Sequence, residues 1–134
     1  MTGAVVVDTQ TAVWYLSLDS NLSQVASNAL DLASAAGELI HVRSICLVEL
    51  SLLIEKGRLL REARDRLVFV LYDPELGWSL APFDRDVADA LETVSRAEVP
   101  DLPDRVVAAT AVALRCPVVS RDRKIRASEV QTVW

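Results

Sequence analysis

Residues 101–125, DLPDRVVAATAVALRCPVVSRDRKI, constrain most strongly what this chain can fold into. Their spacing predicts a turn, a helix, a buried strand and a second turn in immediate succession, with an aspartate near each end. Pro103 suits the first helical turn, where its missing N–H is no loss, and Asp104 puts negative charge near the positive helix N-terminus. From Val106 to Leu114 nearly every side chain is apolar or small, so this helix is expected to be buried on most sides. Arg115-Cys116-Pro117 ends it, Val118-Val119 forms a short strand running to Ser120, and Asp122 follows at the strand's C-terminal end. A helix start and a strand end are where open parallel sheets build their sites, and each receives a carboxylate here.

The rest of the chain supplies the partners for that unit. Ala4-Val5-Val6-Val7 is a continuous apolar run, as expected of a central strand covered on both faces. Asp8 follows it, either to cap the next helix or to carry a carboxylate to the edge of the sheet. Ala12, Val13, Trp14, Leu16 and Leu18 mark a first helix. Leu22 to Ala36 marks a second, stopped at Gly37. Leu39 to Val42 reads as a second strand, in which His41, the only histidine, is structural. A helix is expected from Ser44, its N-cap, to Lys56, with Gly57 as the stop. Within it Glu49 has Ile45, Cys46, Leu52 and Leu53 as its helical neighbours and therefore belongs to an inward face. A lone buried carboxylate is expensive unless paired, protonated or metal-bound. Glu49 is thus a site residue, or else an acid that reaches an arginine or keeps its head in water. Arg58 to Arg66 reads as a charged connector leading into Leu67–Leu71, a helical end before Pro74. Trp78 to Ala81 suits a short edge strand, Asp84 caps a helix from Arg85 to about Val94, and Val130 to Trp134 closes the sheet.

At 134 residues the chain is expected to form a single domain, residues 1–134. That length buries roughly two-thirds of the unfolded surface. The core should be built of Val, Leu and Ala, since 51% of residues are hydrophobic but only 5% aromatic. A net charge of -5 argues against a general nucleic-acid coat, but not against an enzyme that grips phosphates through a few arginines and a metal. Cys46 and Cys116 lie in apolar runs without metal-ligand spacing, which fits reduced core thiols of a cytosolic protein. No basic region precedes Val5-Val6-Val7, and no apolar run approaches the length of a membrane span. A cytoplasmic protein with no membrane partner is the expectation. There is no Gly-rich phosphate loop and no CxxC, and one histidine leaves no room for a Ser/His/Asp set.

Strands alternating with helices give an α/β fold with a mostly parallel sheet of about five strands. In such a sheet Asp8 and Asp122 emerge at strand C-termini, Asp104 faces the same edge, and Glu49 reaches it with a long side chain. Four carboxylates there cannot all stay ionised without a cation. A hard divalent ion, Mg²⁺ or Mn²⁺, is the natural counter-charge, and it suits phosphodiester hydrolysis. Arg121, Arg123, Lys124 and Arg126 form the densest basic cluster, either a solvated face or the flank of an RNA path.

Asp8-Thr9, the run Ser44 to Glu49 with Gly57-Arg58-Leu59, Asp101 to Ala111, and Val119 to Ile125 together resemble the PIN-domain ribonucleases of the VapC toxin type. The resemblance covers nearly the whole chain and implies a three-layer α/β/α PIN-like domain. It implies a metal-dependent endoribonuclease that cleaves RNA as the toxin of a toxin–antitoxin pair. Asp8, Glu49, Asp104 and Asp122 then correspond to the family's acidic quartet, which holds Mg²⁺ or Mn²⁺. Thr9 and Ser120, the latter two places before the last acid, become supporting residues, as does Asp101 one helical turn before Asp104. Gln10 departs from the His or Ser usual in the family. A homodimer and a small cognate antitoxin are implied as partners. Two other functions compete. A non-catalytic PIN-like binding module has no reason to keep Glu49 on an apolar face. Another carboxylate-metal phosphohydrolase, such as an aspartate-nucleophile phosphatase, usually wants a second acid where Gln10 stands.

Overall fold

Short, largely apolar runs form the middle of the molecule. In the computed structural model, which describes residues 3–134, they are the strands β1 (Val5–Val7), β2 (Ile40–Arg43), β3 (Trp78–Ala81), β4 (Val118–Val119) and β5 (Thr132–Val133). The sheet order is β3-β2-β1-β4-β5 and every pairing is parallel. Val7 is level with Val42 on one side and Val119 on the other, so β1 and β4 end together and β2 one residue beyond. After β1 the chain builds outward to β3 at one edge, then crosses to the other side for β4 and β5. The direction of growth reverses between β1 and β4, and a parallel sheet opens a crevice at the C-terminal ends of such a pair.

Among the described residues seven helices cover both faces: α1 (Thr9–Leu16), α2 (Gln24–Ala35), α3 (Ile45–Glu55), α4 (Arg61–Tyr72), α5 (Arg85–Leu91), α6 (Leu102–Leu114) and α7 (Arg123–Ala127). The alternation of the strand decides which helix meets which residue. Val5 and Val7 join Val42, Val119 and the buried Leu30, Leu50 and Leu67 of α2, α3 and α4 in one cluster. Val6 and Val118 join Val87, Val107, Ala108 and Ile125 of α5, α6 and α7 in the other. Full burial of an aliphatic side chain contributes ~1.5–3 kcal/mol, and these two layers hold the sheet between them. As its apolar sequence requires, α6 is buried from Val106 to Ala111. Among the described residues no helix is long and apolar enough to cross a membrane.

Several boundaries differ from the sequence-based expectation, each for a local reason. Residues 61–66 belong to α4 instead of a connector, because Ala63 and Leu67, one turn apart, are buried and leave the charges outside. α2 starts at Gln24, after Ser23 accepts a hydrogen bond from the Ala26 N–H at 3.0 Å. Ser44 precedes α3 with a helical backbone, and its side chain makes no cap hydrogen bond. α5 stops at Leu91, where the Thr93 hydroxyl donates to the Ala90 carbonyl at 2.7 Å. Gly37 and Gly57 follow α2 and α3 with φ of 71° and 70°, a conformation that glycine alone adopts without strain. β2 runs one residue further than expected, to Arg43, which lies at the C-terminal edge of the sheet. His41 is half-buried in β2, and burial lowers its pKa. Cys46 and Cys116 are both buried, and burial pushes the Cys46 thiol up to about 11.

Candidate functional site

Helix starts create the first half of the site. Asp8 ends β1 and caps α1, its Oδ1 accepting the Thr11 N–H at 2.8 Å. Asp122 follows β4 and caps α7, accepting from the N–H groups of Lys124 and Ile125 at 2.9 and 3.0 Å. Asp101 caps α6 by accepting the Asp104 N–H at 3.3 Å. Capping and delivery to the sheet edge, alternatives in the sequence, are thus both true of Asp8. Ser120, fully buried, ties the strands together: its hydroxyl donates to Asp8 Oδ2 at 2.5 Å and accepts the Asp122 N–H at 3.0 Å. Asp104, half-buried in the first turn of α6, differs from the capping acids. Burial pushes its carboxyl up to about 7, aided by the charges of Asp122 and Asp101, a hydrogen bond with Asp101, and the charge of Asp8. A carboxylic acid near that pKa is half-protonated at neutral pH and ready to exchange its proton for another cation.

The second half of the site is built differently. Arg43 is only 4% exposed. Its Nη2 donates to Glu49 Oε1 at 2.5 Å and to the Thr9 hydroxyl at 3.1 Å. Thr9 in turn donates to the same Glu49 oxygen at 3.1 Å. Glu49 is not deep in the core: its side chain is 30% exposed, and its helical neighbours Ile45 and Leu52 are 40% and 47% exposed. The inward apolar stripe expected around it is therefore wrong in detail, because α3 is apolar on nearly every side and only Cys46 and Leu50 are buried. Of the readings open for Glu49, contact with an arginine is observed, and the acid also reaches the cleft with its side chain partly exposed.

Both halves face one cleft of about 330 Å³ lined by Asp8, Thr9, Gln10, Arg43, Glu49, Pro103, Asp104, Arg121 and Asp122. The four expected acids and Thr9 are thus brought together. Ser120 stands behind the wall and holds its members, and the exposed Asp101 caps the helix that carries Asp104. Of the basic cluster, Arg121 alone lines the cleft, its guanidinium 4.7 Å from the centre of the Trp14 ring, while Arg123, Lys124 and Arg126 are exposed on α7. Arg43 and Trp14 were missed as site residues. A basic residue closing the mostly apolar strand Ile40–Arg43 was the available signal for the first. For Trp14 no sequence signal distinguishes it from the core of α1.

The oxygen-only donor set suits a hard divalent cation rather than zinc. Among the described residues no three acidic, histidine or cysteine side chains already stand as a ready ligand set. Holding an ion would require the carboxylates to close on it.

Residues 5–130 match the family model for the PIN domain. No curated protein sequence matches the chain significantly. Among solved structures, the fold is similar to VapBC2 from Rickettsia felis bound to a DNA fragment from their promoter. That likeness has a TM-score of 0.70 at 17% identity and covers 96% of each chain. FitAcB from Neisseria gonorrhoeae gives 0.59 at 22% identity, over 96% of this chain and 95% of that one. A toxin–antitoxin complex from Klebsiella pneumoniae gives 0.60 at 18% identity, over 92% and 91%.

Proposed function

The chain belongs to the PIN domain family, and on that premise we propose that it is a metal-dependent endoribonuclease, the toxin of a toxin–antitoxin pair. One observation carries the proposal: Asp8, Glu49, Asp104 and Asp122 line a single cleft at the reversal point of a parallel sheet. Similarity in fold to toxin–antitoxin complexes supports a small antitoxin as partner, and a homodimer in the cytoplasm is part of the same proposal.

Asp8, Asp104 and Asp122, with Glu49 beside them, would hold Mg²⁺ or Mn²⁺. Such an ion supplies charge neutralisation at the phosphodiester and makes water easier to deprotonate. The chain's own groups do the rest. Ser120 fixes Asp8 and, through the Asp122 N–H, the loop that carries the last acid. Asp104, whose carboxyl is pushed up to about 7 by burial and its acidic neighbours, would give up its proton as the ion binds. Arg121, braced on Trp14, offers positive charge to the RNA backbone, and the exposed basic residues of α7 extend that track.

Purified, partner-free protein incubated with total cellular RNA tests the proposal. Cuts are expected with Mg²⁺ or Mn²⁺ and none in excess EDTA. Asp8→Asn is expected to lower the rate on the order of 10³-fold or more while the fold is kept. Full activity of that variant, or of the parent in EDTA, would remove the metal-dependent nuclease from consideration.

A further inference from the structure

Arg121 lines an acidic cleft with Asp8, Asp104 and its chain neighbour Asp122, yet it pairs with none of them. It is exposed, and among the described residues it makes no hydrogen bond and no ion pair. An arginine side chain is long and free to turn, and carboxylates beside it attract it. What it meets instead is Trp14, with the guanidinium carbon over the ring and 4.7 Å from its centroid. The negative face of an indole attracts a cation, and a guanidinium held there keeps its N–H donors open. Trp14 is itself held. It is half-buried in α1, and the ring of Trp134 packs against it at 6.0 Å between centroids and 53° between planes. Tilted contacts of that kind are favourable for aromatic pairs. Trp134 directly follows β5, the strand paired with β4, so the ring under Arg121 is gripped from a second part of the sheet.

We propose that Trp14, braced by Trp134, is a positioning residue that keeps Arg121 off the carboxylates of the cleft. The acids are then left to the divalent ion, and the arginine's donors are left to a phosphate oxygen of the RNA. This rests on the ribonuclease proposed above and deepens it. Without the ring, Arg121 turns onto the acids beside it, and a phosphate contact and part of the metal affinity are lost together.

The test compares the parent with Trp14→Leu, Trp14→Phe, Arg121→Gln and the double variant Trp14→Leu/Arg121→Gln. Mn²⁺ affinity, read by calorimetry, should fall about threefold in Trp14→Leu, the scale of one exposed ion pair that the metal must break. In the double variant it should return to that of Arg121→Gln, since no guanidinium is left to compete. Affinity for a single-stranded RNA oligonucleotide in EDTA should drop in Trp14→Leu, with the salt slope smaller by about 0.7. Arg121→Gln should lower the slope equally, and the double variant no further. Trp14→Phe keeps an aromatic face and should stay near the parent in both measurements. If Trp14→Leu does not fold, Trp134→Leu removes only the brace and should shift both readings in the same direction. A loss of metal affinity that persists in the double variant makes Trp14 merely structural and overturns the proposal. Unchanged Mn²⁺ affinity and salt slope in a folded Trp14→Leu overturn it equally. A parent that itself binds no Mn²⁺ overturns the metal-dependent function and this inference with it, an outcome read from a different sample.

Discussion

Glu49 and Asp104 are two acids in one cleft, and their surroundings have opposite characters. Glu49 meets a buried arginine and a hydroxyl, so its charge is answered within the protein. Asp104 is half-buried beside Asp122, Asp101 and Asp8, so burial first and then their charges oppose its ionised form. The first acid is tied into the fold by its ion pair. The second is pushed toward its protonated form. Two residues of the same chemical class at the same rim therefore divide the labour, one holding structure and one holding potential for a ligand. Which is which follows from the neighbours and not from the residue type.

The largest effect that can break this contrast is on stability. Glu49→Leu strands the buried Arg43 and should destabilise the metal-free protein by about 3–5 kcal/mol in urea unfolding. A variant as stable as its parent would dissolve the distinction between the two acids. Asp104→Asn should act with opposite sign at pH 8, raising metal-free stability by about 0.2–1 kcal/mol, a modest figure because the side chain is half in water. In the same variant the stabilisation conferred by Mn²⁺ should shrink.

The pH dependence sharpens the contrast further. The Asp104 carboxyl, raised from 3.8 to about 7, binds more protons folded than unfolded between those values. Its contribution to stability is therefore present at low pH and is lost as pH rises from about 4 to 7, the reverse of a salt-bridged aspartate. Mn²⁺ needs that proton gone, so the rise in melting temperature it produces should be larger at pH 8 than at pH 6. An equal shift at both would place the ion away from Asp104. The smallest effect expected concerns α7, outside the cleft. Arg123→Gln with Arg126→Gln should flatten the salt dependence of RNA binding, by about 0.7 in slope for each phosphate those arginines neutralise, and leave Mn²⁺ affinity alone. A changed metal affinity would show that the basic helix reaches the cleft.

Periodicity carried most of the fold. Val5-Val6-Val7 could only be a strand covered on both faces, and Val106 to Ala111 could only be a helix buried on most sides; both are so. The acids were legible because helix caps and strand ends are local events, and Asp8, Asp104 and Asp122 sit at them. Glu49 was harder. Its surroundings depend on Arg43, six residues away across a strand-to-helix turn, and no helical or strand period links the two. The stretch 61–66 misled for a related reason: a dense run of charges hides the single alanine at 63 that fixes the inward side.

The bond between Ser120 and Asp8 joins residues 112 apart in the chain. Translation at roughly 5–20 residues per second puts on the order of ten seconds between the making of one partner and the other. Until then β1 lacks its neighbour on one side, and the acids belong to separate pieces of polypeptide. The cleft is therefore incomplete for most of the chain's synthesis. It closes late, once β4 is there to pair with β1.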